Sequence, residues 1–280
     1  MSDEPLLRVE RVSLAFGGVR ALRGVSLHIS RGAIVAVIGP NGAGKTTLFN
    51  CLTGVYRPDE GEVWLRDRQL VGLKPHRVAE LGVARTFQNI ELFGRMTVLD
   101  NVLLGRHRHM STGPLGGMWF GKRVRDEEVR QRRRVEEVLD FLDLQFARDR
   151  FVMHLPYGVR KKVELARVLA LEPELLLLDE PSAGMNAEEK EELVFSVRDI
   201  RDEMGITVAL VEHDMGLVMG ISDQVVVLDH GAKIADGTPR EVTRDPEVVR
   251  AYLGGDATTH SALGEVPADA PVGEGERSEA

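Results

Sequence analysis

Cysteine is almost missing from this chain: its 280 residues hold a single one, Cys51. One thiol cannot close an internal disulfide, so nothing requires an oxidising compartment. Lying in a helical apolar pattern, Cys51 reads as a small buried hydrophobe. Long apolar runs are missing too. The longest, Ala33–Ile38 and Leu175–Leu178, have the length of buried strands, far short of the roughly 20 residues that cross a bilayer. The acidic opening, Met-Ser-Asp-Glu-Pro, has no apolar run behind it, which argues against a signal peptide. There is no basic surplus either: 36 Lys and Arg stand against 44 Asp and Glu, a formal charge of −8. That balance disfavours a nucleic-acid binder, whose affinity rests on phosphate contacts. The guanine-reading pattern Asn-Lys-x-Asp is absent, which disfavours a GTPase.

What is present, 43% hydrophobic and 29% charged residues, is the composition of an ordinary globular protein. The chain is long enough to bury a substantial core. Leu6–Glu10, Val25–Ile29 and Ala33–Ile38 read as short strands, with turns at Gly17-Gly18 and Arg31-Gly32, and Gly61–Leu70 reads as a further strand. From Thr97 to Leu171 the period becomes helical. Over Val124–Leu144 the apolar Val135, Val138, Leu139 and Leu142 recur at three- and four-residue steps. The arginines of that stretch alternate with Glu136, Glu137 and other acids, as on a solvated helix face. His109–Gly121 reads as a loop insertion. Leu175–Leu178, Thr207–Val211 and Gln224–Leu228 are then buried strands alternating with helices such as Glu188–Met204, the rhythm of a mostly parallel sheet. The tail 255–280 has almost no large apolar residues and is expected to be disordered.

Two motifs carry chemistry. Gly39-Pro40-Asn41-Gly42-Ala43-Gly44-Lys45-Thr46-Thr47 matches the phosphate-loop pattern G-x-x-x-x-G-K-[ST], with a buried strand before it and a helical pattern, Thr46–Leu52, after it. Its glycines let backbone N–H groups converge on phosphate oxygens, aided by the positive end of the helix. Lys45 is expected to reach the β- and γ-phosphates of ATP, and Thr46 to ligate Mg²⁺. The second motif is Leu175–Leu178 followed by Asp179 and Glu180, an apolar strand emerging as two carboxylates. Asp179 suits a place beside Mg²⁺, and Glu180 is then placed to polarise the attacking water.

In this order the motifs resemble the ATP-binding cassette (ABC) ATPases over roughly residues 6–254, with a helical subdomain at about 97–171. The resemblance implies an α/β nucleotide-binding domain: a mostly parallel phosphate-loop core sheet with an antiparallel β subdomain and a helical subdomain. Arg85-Thr-Phe-Gln88 is similar to the family's glutamine loop, making Gln88 a contact of Mg²⁺ and of the attacking water. Leu155-Pro-Tyr157-Gly158 stands where the signature loop does, which addresses the nucleotide held by a second cassette. Pro181–Asn186 resembles the loop that crosses to that partner, His213 the switch histidine, and Phe16 the aromatic that stacks on adenine. Pro156 departs from the commoner Leu-Ser-Gly-Gly-Gln signature and removes a hydroxyl donor.

Finer features narrow the resemblance. Arg85–Phe93, Val211–Met215, Val218–Asp223, Gly237-Thr-Pro239 and Val248–Gly254 look like the ATP-binding subunit of high-affinity branched-chain amino-acid importers. Urea and amide importers share much of this pattern. Implied partners are a second ABC ATPase subunit, as homo- or heterodimer, integral membrane permeases and, indirectly, an external solute-binding protein. The implied place is the cytoplasmic face of the cell membrane. The rival class is a soluble ABC ATPase of repair or translation; such proteins normally carry two cassettes, a coiled-coil insertion or a basic arm.

Overall fold

The computed structural model describes residues 5–87, 90–106 and 122–253. Gln88, the insertion at His109–Gly121 and the tail 255–280 lie outside the described residues.

The N-terminal part is a four-stranded antiparallel sheet of order β2-β1-β4-β5. β1 (Leu7–Phe16) and β2 (Val19–Ile29) are long hairpin partners. The expected turn at Gly17-Gly18 joins them, with φ of 52° and 89° at its two residues, the positive angles that a two-residue hairpin turn requires. Both strands run well past the expected segments, because cross-strand pairing carries Phe16 opposite Val19 despite their polar neighbours. The expected strand Gly61–Leu70 instead divides into β4 (Glu60–Leu65) and β5 (Arg68–Gln69). Arg66, at φ 53°, turns the chain there.

The central sheet has six strands in the order β10-β9-β3-β8-β7-β6. β3 (Ile34–Ile38), β6 (Val83–Arg85), β7 (Leu175–Asp179), β8 (Thr207–Val211) and β9 (Gln224–Asp229) run parallel, and β10 (Ala232–Gly237) is an antiparallel edge. Both faces are covered. Ile34, Ala36, Ile38, Leu176 and Leu178 enter one core, while Val35, Val37, Leu175 and Leu177 enter the other. This period-2 split explains why the strands read as unbroken apolar runs.

Helices fill both layers. α1 (Lys45–Leu52) follows the phosphate loop, and its Leu48, Phe49, Cys51 and Leu52 are buried. α2 (Pro75–Glu80) precedes β6. The helical part consists of α3 (Val98–Gly105), α4 (Lys122–Phe141) and α5 (Tyr157–Leu169), packed on one core through Val102, Val135, Leu139 and Leu165. On α4, Arg133 and Arg134 both pair with Glu137, the solvated face expected of it. α6 (Ala187–Asp202), α7 (Met215–Ile221), α8 (Pro239–Arg244) and α9 (Pro246–Leu253) complete the order. Among the described residues, no helix is long and apolar enough to cross a membrane.

Candidate nucleotide site

β3 runs into the loop at Gly39, and α1 leaves it at Lys45. Gly39 has φ 146°, and a Cβ there would collide with the Leu228 carbonyl oxygen. Gly44, the N-cap of α1, has φ 102°, and a Cβ would lie 2.6 Å from the Ala21 carbonyl oxygen. The loop can close this tightly only with glycine at both positions. Lys45 is buried and folds back over the loop, its Nζ donating to the carbonyls of Gly39 (2.6 Å) and Pro40 (2.9 Å). Burial lowers its pKa, while the carboxylates of Glu180 and Asp179 act in the opposite direction. No side chain caps α1, so its first-turn amides are left to an anion or to water.

The sheet order places β8 between β3 and β7, so the loops following all three strands meet at one edge. Glu180 directly follows β7 with φ 48°, a left-handed angle that costs a non-glycine residue about 1–3 kcal/mol. Its amide donates to the Val211 carbonyl at 2.9 Å, which ties this strained corner to the end of β8. His213 lies just past β8, with Nε2 2.9 Å from Glu180 Oε1. The buried Glu212 braces both corners: one oxygen accepts from Ser182 N (2.8 Å), the other from His213 N (3.0 Å). Asn41 to Thr47, Glu180 and His213 line a single cleft of about 190 Å³. A larger cavity, about 370 Å³, lies between α5 and α6, but in its lining Glu164, Glu188, Glu189 and Glu192 outnumber Lys161 and Lys162, the wrong balance for a triphosphate.

Asp179 ends β7 and is buried. Its Oδ2 accepts from Arg85 Nη2 at 2.6 Å, while Arg85 Nη1 donates to Asn50 Oδ1, also at 2.6 Å. Phe16, at the end of β1, is half-exposed and meets Tyr56 edge to face at 5.1 Å. Tyr157 and Gly158 open α5 and do not line the phosphate-loop cleft. The Tyr157 hydroxyl donates to the Ala183 carbonyl (3.2 Å), and Gly158 packs against Glu189. Arg85, Asn50, Glu212 and Tyr56 are neighbours of the site that the sequence reading assigns no role. The available signals were a charge closing an apolar strand (Arg85, Glu212) and an amide one helical turn beyond Thr46 (Asn50).

Residues 22–183, which span the phosphate loop, Asp179 and Glu180, match the family model described as ABC transporter. The chain belongs to the ABC transporter family. Its cassette also matches, over residues 232–258, the model described as branched-chain amino acid ATP-binding cassette transporter. It is 43% identical over 252 residues to the high-affinity branched-chain amino acid transport ATP-binding protein LivG of Salmonella typhimurium, covering 90% of this chain and 99% of that one. It is 42% identical, with the same coverage, to the corresponding protein BraF of Pseudomonas aeruginosa. Among solved structures, the ADP conformation of an ATP-binding cassette of an ABC transporter superposes with TM-score 0.78 at 32% identity, over 90% of this chain and 99% of that chain. A nucleotide-free cassette gives 0.77 at 32% identity, over 89% and 99%. The α/β fold expected from the motifs is therefore the fold found, and the cassette is an ABC-type transporter ATPase.

Proposed function

We propose that this cassette hydrolyses ATP to drive an importer of branched-chain amino acids, with residues 6–254 forming the ATPase domain and about 97–171 its helical part. The observation that carries the site is the shared cleft of the phosphate loop, Glu180 and His213. The solute reading is supported by the LivG and BraF relatives and by the match at residues 232–258, a segment that includes the edge strand β10 and the helices α8 and α9.

The donor set fits Mg²⁺-ATP: a hydroxyl and a carboxylate, Thr46 and Asp179, are hard oxygen donors, and an uncapped helix start with a buried ammonium suits the phosphates. When bound, Mg²⁺ would neutralise the β- and γ-phosphate oxygens, held by Thr46 and Asp179 with Gln88 as a further contact. The chain's own groups do the rest. Asn41 to Thr47 supply backbone amides and Lys45 a positive charge to the phosphates, with Gly39 and Pro40 leading the chain into the loop. Phe16, braced by Tyr56, offers its ring to adenine. Glu180 acts as the base that orients water and takes its proton, and His213, bonded to it, holds that carboxylate in place. Tyr157 and Gly158 are assigned to the nucleotide of a second cassette. Permeases hold the pair at the cytoplasmic face of the membrane, with an external solute-binding protein upstream.

The test is co-purification of the tagged chain from membranes, followed by ATPase assays of the complex with leucine, isoleucine or valine, and with urea. Stimulation by the amino acids, lost in Lys45→Ala, is expected. Stimulation by urea alone, or normal turnover in Lys45→Ala, would overturn the assignment.

A further inference from the structure

The side chain of Arg85, at the end of β6, is buried between two parts of the site. Its guanidinium donates to Asp179 Oδ2 and to Asn50 Oδ1, both at 2.6 Å, and the ion-paired side chains are 5% and 4% exposed. It lies 5.7 Å from the ring centre of Phe49 and 5.4 Å from that of Phe87, so aromatic faces limit its movement. Its backbone is pinned in the sheet, with Arg85 opposite Leu177 and the Thr86 amide donating to the Leu177 carbonyl at 3.0 Å. Asn50 stands on α1 four residues after Thr46, one turn along the same helix. The two oxygen donors read as the metal's holders thus sit on different elements, Thr46 on α1 and Asp179 on β7. Arg85 bridges the two.

We propose that Arg85 is a positioning residue for ATP hydrolysis: its fork sets the Asp179 carboxylate at a fixed place relative to the Thr46 helix. A purely cohesive ion pair is a poor explanation for so buried a charge, since two well-packed apolar residues would hold β6 to β7 as well or better. The fork also explains the residue type. A planar guanidinium can serve a carboxylate and an amide oxygen at once, whereas a lysine ammonium cannot reproduce that geometry. With Oδ2 taken by Arg85, the carboxylate loses its freedom to rotate, and its other oxygen is presented in one orientation.

The inference rests on the assignment of Asp179 to Mg²⁺, and the experiment separates the two. Arg85→Lys, Asn50→Ala and Asp179→Asn are each made in the full chain. Binding of a fluorescent ATP analogue is titrated with EDTA and with Mg²⁺, and ATPase is measured in the permease complex across Mg²⁺ concentrations. For Arg85→Lys we expect analogue binding in EDTA within about threefold of wild type, a half-saturating Mg²⁺ concentration raised about tenfold, and kcat lowered about tenfold. Asn50→Ala, which leaves the ion pair in place and so threatens folding less, should move the same two quantities in the same direction by a smaller factor. A residue that only stabilises the fold would lower the melting temperature without moving the Mg²⁺ requirement. Unchanged or lowered Mg²⁺ requirement in both variants, with Asp179→Asn defective, overturns the role of Arg85 alone. A wild-type Mg²⁺ response in Asp179→Asn overturns the metal assignment and this proposal together.

Discussion

Glu180 is held in a left-handed backbone conformation and bonded to His213, while facing the loop that carries Lys45. A carboxylate in that position has the geometry of a base, so Glu180→Gln should leave ATP binding intact and slow hydrolysis by about 10²–10⁴. ATP-dependent dimerisation of this variant, followed by gel filtration, checks it; a monomer that still hydrolyses would refute it. His213→Ala should slow turnover with little change in ATP affinity, the outcome expected if the ring, 2.9 Å from the Glu180 carboxylate, serves to orient it; a steady-state comparison of kcat with KM decides. Cys51 offers a prediction of another kind. Burial, with a smaller contribution from Asp59, pushes its thiol up to about 12. The folded thiol keeps its proton where an unfolded one, near 9.0, releases it. Stability from this group is therefore full below about 9 and is lost as the pH rises toward 12. At pH 8 the thiol should resist alkylation by iodoacetamide until the chain is unfolded in guanidinium, as mass spectrometry would show.

Element boundaries followed cues that periodicity does not carry. α6 begins at Ala187, one residue before the expected Glu188, because Asn186 and Glu189 form a reciprocal capping box. Asn186→Ala should cost about 1 kcal/mol, a fall in Tm of roughly 2–4 °C for a domain of this size, read by calorimetry on the nucleotide-free chain. α5 begins at Tyr157, inside the signature-loop segment, with Pro156 at its N-cap. Proline's fixed φ suits a helix start, yet no side chain caps this one. The division of Gly61–Leu70 at Arg66 was hidden for a related reason: a non-glycine residue at positive φ leaves no mark in an apolar–polar alternation.

At the scale of the whole molecule, α5 presents Tyr157 and Gly158 away from the cleft that holds Lys45. This is what a site completed by a second cassette would require. Since Pro156 lacks a hydroxyl, the composite site served by this signature should turn over ATP more slowly than its sister in a transporter with two different cassettes. Pro156→Ser should narrow the gap. Site-resolved ATPase rates, with each phosphate-loop lysine mutated in turn, would contradict this if they came out equal.

By itself the sequence determined the phosphate loop, the carboxylate-ended strand and the class of fold, since each is a local pattern: glycines where φ must be positive, apolar runs where both faces are buried. The end of β8 was legible because it coincides with the change from apolar to charged residues, and β7 runs one residue past that change, through Asp179. Which charges meet was decided only by the tertiary structure. Arg85, Asn50 and Asp179 come from three separate elements, and Glu212 and the amide of Ser182 that it braces from the loops after two different strands, β8 and β7. Such contacts depend on strand order and helix placement, and no spacing along the chain encodes a distance between residues 94 positions apart, as Arg85 and Asp179 are.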